Sequence, residues 1–233
     1  MRERSAYGFG TAWRWPRGSA LRPRHLGAVT GGAVVAYVLL GRTRQLRWGA
    51  TDQEVSKPLP GDDFIPLADL TATRAITIRA AVDEVWPWIA QLGQGRGGFY
   101  SYDFVENLVG CDIHSADRIV PEWQALEVGD AVKLAPEVGL VVAYLEPGRS
   151  VVLRGGIPMG NGAPPYDFTW AFALRDEPDE TTRLLVRERY AYTQPWARLI
   201  VEPTQVLSFV MSQKMLRGIR DRAERSALAG ASS

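Results

Sequence analysis

Hydrophobic positions recur at helical spacing in three parts of the chain. Between residues 81 and 92 they fall at steps of three and four, which predicts an amphipathic helix that Pro87 bends and Gly93 ends. A short helix is predicted over about 102–109, before a glycine. A final helix is predicted over about 203–227, because its first residue, Pro203, suits a first helical turn. The buried stripe of this last helix is Val206, Phe209, Val210, Leu216, Ile219 and Ala223.

Most of the remaining region alternates between apolar and polar residues, as strands do. The predicted strands cover 73–80, 131–135, 139–146, 150–154, 167–175 and 182–192. We therefore predict an α+β domain over residues 71–229, with one curved antiparallel sheet of six or seven strands. The last helix should lie on the concave face of this sheet, and the two small helices should follow the first strand. A cup of this shape is suited to an apolar molecule.

One charged residue interrupts the apolar face of the last predicted strand. Alternation places Glu188 on the same face as large apolar residues, where a charge needs a partner, a shifted pKa or a ligand. We expect a structural ion pair, for which Arg154 on a neighbouring strand is a candidate, or a contact with a ligand. The opposite face of the strand should meet water, and it carries Arg183, Arg187 and Arg189.

The N-terminal part of the chain differs from the rest in charge and hydropathy. Residues 1–25 form a basic tail with six arginines and one glutamate, and Leu26 to Leu40 carries no charge. A membrane span needs about 20 residues, but flanking arginines can extend a short one. We expect residues 26–41 to form a single uncleaved membrane helix; a signal peptide and a soluble or interfacial helix are the alternatives. Arginines flank both ends, so the side of the membrane stays open, with a weak preference for an inside N-terminus.

Composition narrows the domain organisation and the function classes. A chain of 233 residues has room for one domain with a large core. Residues 42–70 are predicted to be a linker because prolines and Gly61 break regular structure there, and residues 230–233 a disordered tail. The formal net charge of +1 argues against nucleic acid as a partner. The only cysteine, Cys111, excludes an internal disulfide.

Two motif-like runs are interpreted as structural. Gly93–Gly98 matches G-x-G-x-x-G, but it follows a helix instead of a strand, so we interpret it as a turn with Arg96 exposed. Cys111, Asp112 and His114 supply metal-ligand types, but a structural zinc site needs four Cys or His ligands. We therefore predict no cofactor and no metal.

The spacing of residues shows no nucleophilic triad. His114, Glu188 and Asp103 are weak catalytic candidates, with Glu106 and Asp117 as further carboxylates. Each has a structural alternative. His114 could be an ordinary loop residue, Asp103 could stabilise a helix start, and Asp117 could pair with its neighbouring arginine.

Several runs of residues resemble actinobacterial members of the SRPBCC superfamily, over about residues 47–226. The runs are Arg47–Thr51, Leu59–Asp62, Val85–Trp88, Gln91–Gly93, Arg96–Asp103, Glu106–Leu108, Ala116–Ile119, Val128–Asp130, Glu202–Pro203 and Met215–Ile219. The superfamily includes START-like lipid-binding domains and polyketide cyclase/dehydratases. The resemblance implies a helix-grip fold, in which a curved antiparallel sheet grips the last helix around a cavity. It also implies a lipid, sterol, polyketide or other hydrophobic ligand, and it supplies no shared catalytic set.

Aromatic residues are the main candidates for the cavity wall, with ordinary core packing as the alternative. The predicted ligand-binding residues are Trp86, Tyr100, Tyr102, Trp123, Trp170, Phe172, Glu188 and Tyr190. The cavity should have the usual ligand size of roughly 300–1,000 Å³. Trp170, Phe172 and Tyr190 should wall it, with Tyr100 or Tyr102 near its mouth.

Three functions follow from this sequence. The first is binding of a hydrophobic small molecule or lipid by a membrane-tethered helix-grip domain. The second is a cyclase/dehydratase-type enzyme, which needs two or more titratable groups near one point of the cavity. The third is an accessory interaction protein whose core is filled by side chains. We favour binding without catalysis.

Overall fold

A six-stranded antiparallel sheet and one long helix form the folded domain. The computed structural model of the protein describes residues 41–108, 110–157 and 163–230. The strands are β1 (Leu70–Ile78), β2 (Ala131–Ala135), β3 (Val138–Glu146), β4 (Ser150–Gly155), β5 (Tyr166–Glu177) and β6 (Thr181–Tyr192). The helices are α1 (Arg42–Leu46), α2 (Asp52–Ser56), α3 (Val82–Ala90), α4 (Asp103–Leu108) and α5 (Ala197–Gly230). Each predicted strand is present, with ends within three residues of those predicted.

The order of the strands places the first strand, β1, beside the last strand, β6. The sheet runs β1-β6-β5-β4-β3-β2, and all of its neighbouring strands are antiparallel. In this register Trp170 of β5 lies opposite Glu188 of β6, and Ala72 of β1 lies opposite Glu188 on the other side. The last helix packs on α3 and on β1. This is the helix-grip arrangement that the sequence predicts.

The last helix begins earlier than predicted. Helix α5 starts at Ala197, so Pro203 lies inside the helix and not in its first turn. Proline removes one backbone hydrogen bond at this position, which faces solvent. The buried side of α5 includes Met215, Leu216 and Ile219. Val206 and Val210, predicted to be buried, are 45% and 43% exposed. These two valines are exposed because less of the protein covers the N-terminal half of α5.

The segment 42–70, predicted as a linker, contains two short helices and covers the back of the sheet. Helix α2 begins with a capping box, in which Thr51 and Glu54 satisfy each other's backbone N–H groups. Glu54 then pairs with Arg183 of β6 at 2.8 Å. Arg187 pairs with Asp62 and donates to the carbonyls of residues 54, 55 and 57.

The arginines of β6 therefore do not face water as predicted. Arg187 is 2% exposed, and Arg189 donates to the carbonyl of Ile65. On the neighbouring strand β5, Thr169 and Ala171 of the same sheet face are also buried. The central strands are thus covered on both faces, by α5 on one side and by residues 54–66 on the other.

Part of the predicted organisation lies outside the described residues. The basic tail at 1–25 and residues 231–233 lie outside them. So does the predicted membrane helix at 26–41, except for its last residue, Gly41. No helix within the described residues is long and apolar enough to cross a membrane.

Candidate functional site

A cavity of about 310 Å³ lies between the sheet and α5. Strands β5 and β6 supply one wall, α5 supplies the opposite wall, and α4 with its flanking loops closes a side. The aromatic residues that line it are Phe99, Tyr166, Phe168, Trp170 and Tyr190. Met211 and Met215 of α5 face them, with Leu134 and Ile157 completing the apolar wall. The volume falls within the range typical of small-molecule sites.

The aromatic wall contains two groups of rings in contact. The ring of Trp170 lies 5.9 Å from that of Phe99 and 4.9 Å from that of Phe172. Tyr190 lies 4.6 Å from Phe168 and 5.5 Å from Tyr166. Ring pairs at such distances hold each other in place, so the wall is preformed. The indole N–H of Trp170 is buried and has no hydrogen-bond partner.

Polar groups also line the cavity. They belong to Ser101, Glu106, Cys111, Glu188, Ser208 and Ser212, and the lining tyrosines Tyr166 and Tyr190 also carry hydroxyl groups. None of the described residues that line it is a lysine, an arginine or a histidine. The polar surface of the cavity is therefore acidic or neutral.

Glu188 is held by a buried network. Its carboxylate pairs with the guanidinium of Arg74 at 2.6 Å, and both side chains are almost completely buried. Ser208 and Ser212 donate to the same carboxylate at 3.0 and 3.3 Å, and Tyr190 donates at 3.3 Å. Such a network satisfies a charge that would otherwise be very costly at this position. Burial and the charge of Glu188 raise the pKa of Tyr190 well above its usual value, which keeps that phenol neutral.

Glu106 on α4 is the second carboxylate of the cavity, and it lacks such a network. It is 6% exposed, and one of its carboxylate oxygens is buried without a hydrogen-bond partner. Burial, and next the charge of Asp103, raise the pKa of Glu106 from 4.5 to about 7. Burial also raises the pKa of the nearby Cys111 thiol, with a contribution from Glu106. Glu106 is thus a carboxyl group that changes protonation near neutral pH.

The structure places only some of the predicted site residues at the cavity. Trp170, Glu188 and Tyr190 line it, and Glu188 points inward as alternation predicts. Whether they bind a ligand stays a prediction. Phe172 packs behind Trp170 in the core and does not line the cavity, because its neighbour on the strand face covers it.

The two tyrosines predicted near the mouth lie elsewhere. Tyr100 is buried, and its hydroxyl donates to the carbonyl of Trp88 and accepts from Gln91. Its backbone has a positive φ of 54°, which turns the side chain into the core under α5. Tyr102 is 43% exposed, with Lys214 over its ring. Neither residue lines the cavity.

Trp86 and Trp123, also predicted ligand contacts, do not line the cavity either. Trp86 is a half-buried residue of α3 that packs against the core. Trp123 ends a single 3-10 turn, and its carbonyl accepts a hydrogen bond from Arg96. Arg96 is therefore half-buried and structural, in contrast to the exposed loop arginine that we predicted.

Two weak catalytic candidates are away from the cavity. The side chain of His114 is 82% exposed and lies 3.2 Å from Asp112, and it does not line the cavity. Asp103 accepts hydrogen bonds from the backbone and hydroxyl of Ser115, both at 2.7 Å, and it fixes that loop to the start of α4. Asp117 pairs with Arg222 of α5 and not with the adjacent arginine. Within the described residues, no group of three or more His, Cys, Asp or Glu could hold a metal ion.

The partner of Glu188 was predicted incorrectly. Arg154 pairs with Asp167 on the neighbouring strand, and Arg74 pairs with Glu188. Alternation in β1 puts Arg74 on the same face as Ile76 and Ile78, so the sequence did contain a signal for a second buried charge. It was missed because β1 and β6 are far apart in the chain and become neighbours only through the sheet order.

Three comparisons with known proteins were made, and one of them found similar structures. No protein-family model matches the chain, and no curated protein matches it. Solved structures that are similar include the Zhui aromatase/cyclase from a Streptomyces species, at 15% identity and a TM-score of 0.38, over 67% of this chain and 94% of that one. The polyketide_cyc-like protein Cgl2372 from Corynebacterium glutamicum has 15% identity and a TM-score of 0.36, over 64% and 88% of the two chains. Protein MLL2253 from Mesorhizobium loti has 13% identity and a TM-score of 0.41, over 67% and 98%.

Similarity at these levels carries no argument about function, so the fold is assigned from the strand order and the last helix. Polyketide cyclase-like proteins are nevertheless among the similar structures. The chain has the helix-grip fold, because a six-stranded antiparallel sheet packs against one long C-terminal helix.

Proposed function

We propose that the protein binds a hydrophobic small molecule or a lipid in the cavity between the sheet and α5. The observation that supports this proposal is the preformed aromatic and apolar wall around about 310 Å³ of space. Side chains that border an empty space lose packing contacts, and an apolar ligand would restore them. The same space counts against an accessory protein with a filled core.

The wall residue Trp170 provides a test with a matched control. We expect Trp170→Ala to weaken the binding of N-phenylnaphthylamine, an uncharged fluorescent probe, by about tenfold, because a large part of the aromatic wall is lost. Trp123→Ala removes the same side chain outside the cavity and should leave the affinity unchanged. Equal affinities in both variants would contradict the proposal. Thermal unfolding of each variant separates a loss of binding from a loss of folding.

A second candidate is an acid–base enzyme of the dehydratase type. Glu106 favours it, because a cavity carboxyl group with a pKa of about 7 can both accept and donate a proton. On a β-hydroxyacyl thioester with an apolar chain, the Glu106 carboxylate would take the α-proton as the hydroxyl group leaves. The same proton would then complete the departing water, which leaves the α,β-unsaturated thioester.

This second candidate is tested by mass spectrometry of the thioester after incubation. Conversion by the wild-type protein that is lost in Glu106→Gln would support an enzyme. A thioester that binds without loss of water would leave ligand binding as the function. The position of His114 outside the cavity removes it from this chemistry.

Tethering of this domain to a membrane by residues 26–41 is a further part of the proposal. Its support is the uncharged run from Leu26 to Leu40 between arginine-rich segments. Residues 26–40 of this segment lie outside the described residues.

A further inference from the structure

The charges around the cavity are unevenly balanced. Glu188 is neutralised by Arg74, which lies behind the cavity wall. Glu106 has no such partner, since no described cation forms an ion pair with it or with the neighbouring Asp103. When Glu106 is ionised, the cavity therefore holds one uncompensated negative charge.

We propose that the natural ligand of this cavity is a hydrophobic amine, whose cationic group binds at Glu106 while its apolar body contacts the aromatic wall. This inference rests on the proposed binding function and names the ligand class. The buried carboxylate oxygen of Glu106 has no partner in the protein, so it can accept a hydrogen bond from an ammonium group.

The aromatic wall strengthens the preference for a cation. Phe99, Tyr166, Phe168, Trp170 and Tyr190 present five rings to the same space. The face of an aromatic ring attracts a cation within about 6 Å, and the attraction grows when water is excluded. An anionic ligand would meet the uncompensated charge of Glu106 without any lining cation, so it is disfavoured. A neutral alcohol could donate a hydrogen bond to Glu106, but it has no positive charge to form an ion pair with the carboxylate.

The protonation of Glu106 makes the binding depend on pH. The titratable groups around it are Asp103 on the same helix, Cys111 in the following loop, and Glu188, Tyr166 and Tyr190 across the cavity. The two tyrosines stay neutral, because burial raises their pKa values. An aliphatic amine keeps its proton up to about pH 10. The affinity for an amine should therefore rise with pH as Glu106 ionises, between about pH 6 and 8.

Three probes with the same naphthalene body test the ligand class. Naphthylethylamine, naphthylethanol and naphthylpropanoic acid are titrated into the full-length protein by calorimetry at about pH 8, above the pKa of Glu106. We expect the amine to bind at least about tenfold more tightly than the alcohol, and the acid to bind most weakly. The amine affinity should fall at about pH 6, while the alcohol affinity should not.

Two variants locate the effect. In Glu106→Gln the preference for the amine should fall below about threefold, because the negative charge is gone and the shape is kept. Glu137→Gln removes an exposed charge between β2 and β3, and it should keep the full preference. The dependence on pH in the wild-type protein needs no variant, so a folding defect cannot hide the result.

The outcomes separate this inference from the proposed function. An alcohol or acid that binds as tightly as the amine, or an amine preference retained in Glu106→Gln, would overturn the amine as the ligand while ligand binding stands. If none of the three probes binds, the proposed function is overturned, and the amine inference is overturned with it.

Discussion

Glu106 and Glu188 are two buried carboxylates in one cavity, and they differ in their hydrogen-bond partners. Glu188 has an arginine, two serines and a tyrosine as hydrogen-bond partners, so its charge is part of the fold. Glu106 has a buried oxygen without a partner and a pKa near 7. A buried carboxylate without such partners destabilises the folded protein. Its presence therefore suggests a role in function, which makes Glu106 a candidate functional residue.

That cost predicts a pH-dependent stability. The folded protein raises the pKa of Glu106 from 4.5 to about 7, so it favours the protonated form. Protonated Glu106 therefore stabilises the folded state by about 3 kcal/mol relative to the ionised form. This contribution is fully present below pH 4.5 and is lost as the pH rises through 7. The free energy of unfolding of Glu106→Gln should depend less on pH, because glutamine does not ionise. Relative to wild type, this variant should therefore become more stable as the pH rises from 4.5 to 7. Urea unfolding at several pH values measures the difference.

Glu137→Gln is the control for this measurement, since it removes an exposed carboxylate of the same charge. A constant stability difference between Glu106→Gln and wild type from about pH 4.5 to 7 would show that Glu106 has an ordinary pKa in the folded protein.

At the residue scale, the sequence predicted the position of Glu188 correctly and its partner incorrectly. Alternation is a local property, and it places Glu188 and Arg74 each on an inner face. The pairing depends on the adjacency of β1 and β6, which no local pattern contains. The side chains of Tyr100 and Tyr102 were misplaced for a similar reason, since a positive φ at Tyr100 redirects the segment after Gly98.

At the scale of elements, the segment that covers the back of the sheet is held by a few charged contacts. Glu54 is 6% exposed and accepts from Arg183 at 2.8 Å and from the backbone of Thr51. Its hydrogen bond with Arg183 is the largest of the effects that lower its pKa from 4.5 to about 2, against the opposing effect of burial. Residues 52–64 are therefore part of the folded domain, although helix α2 is too short to be evident from hydrophobic spacing.

We expect Glu54→Gln to destabilise the protein by about 3 kcal/mol at pH 7. The contribution of Glu54 is present above pH 4.5 and is lost as pH falls towards 2, so the difference from wild type should shrink in acid. Asp52→Asn, at an almost fully exposed position in the same helix, should have little effect. Equal losses in the two variants would mean that residues 52–64 do not depend on the Arg183 contact.

The close packing of α5 against the loop between α3 and α4 depends on one glycine. A Cβ atom at Gly218 would overlap the carbonyl oxygen of Tyr100 and lie 2.7 Å from the Tyr100 Cβ. Alanine normally favours a helix over glycine by about 1 kcal/mol, but here the clash with rigid backbone decides the sign.

Gly218→Ala should therefore lower the free energy of unfolding by about 1–3 kcal/mol, measured by chemical denaturation. Lys214→Ala, at an exposed position one turn earlier, is the control and should change stability only slightly. A Gly218→Ala protein that is more stable than wild type would mean that α5 does not approach Tyr100 so closely.

At the scale of the whole molecule, the six antiparallel strands and the long last helix follow the prediction, because alternation and helical stripes are strong over residues 71–229. The covered back face and the early start of α5 did not follow from the sequence. Both features depend on which segments pack against the sheet and the helix, and not on the hydrophobic pattern within the strand or helix itself. The aromatic cavity wall was predicted in part, since alternation identifies the face but not which residues border the space.

The predicted membrane segment gives a prediction for the 233-residue chain. The compact unit of the described domain begins at Arg42, which pairs with Glu202 of α5 at 2.9 Å. Removing residues 1–41 should leave this domain folded and should shift the protein from the membrane fraction to the soluble fraction. A truncated protein that stays in the membrane fraction would place the anchor elsewhere, and a full-length protein in the soluble fraction would contradict the predicted span.

Binding in the cavity is the central claim, and filling the cavity tests it most directly. Met211 of α5 lines the space opposite the aromatic wall, so Met211→Trp should occupy it with protein atoms. N-phenylnaphthylamine is titrated into the wild-type protein and into Met211→Trp, and its fluorescence is followed, with thermal unfolding as the check on folding. We predict saturable binding of one probe per chain to the wild-type protein and at least about tenfold weaker binding to a folded Met211→Trp. No saturable binding to the wild-type protein, or equal binding to both, would contradict the claim.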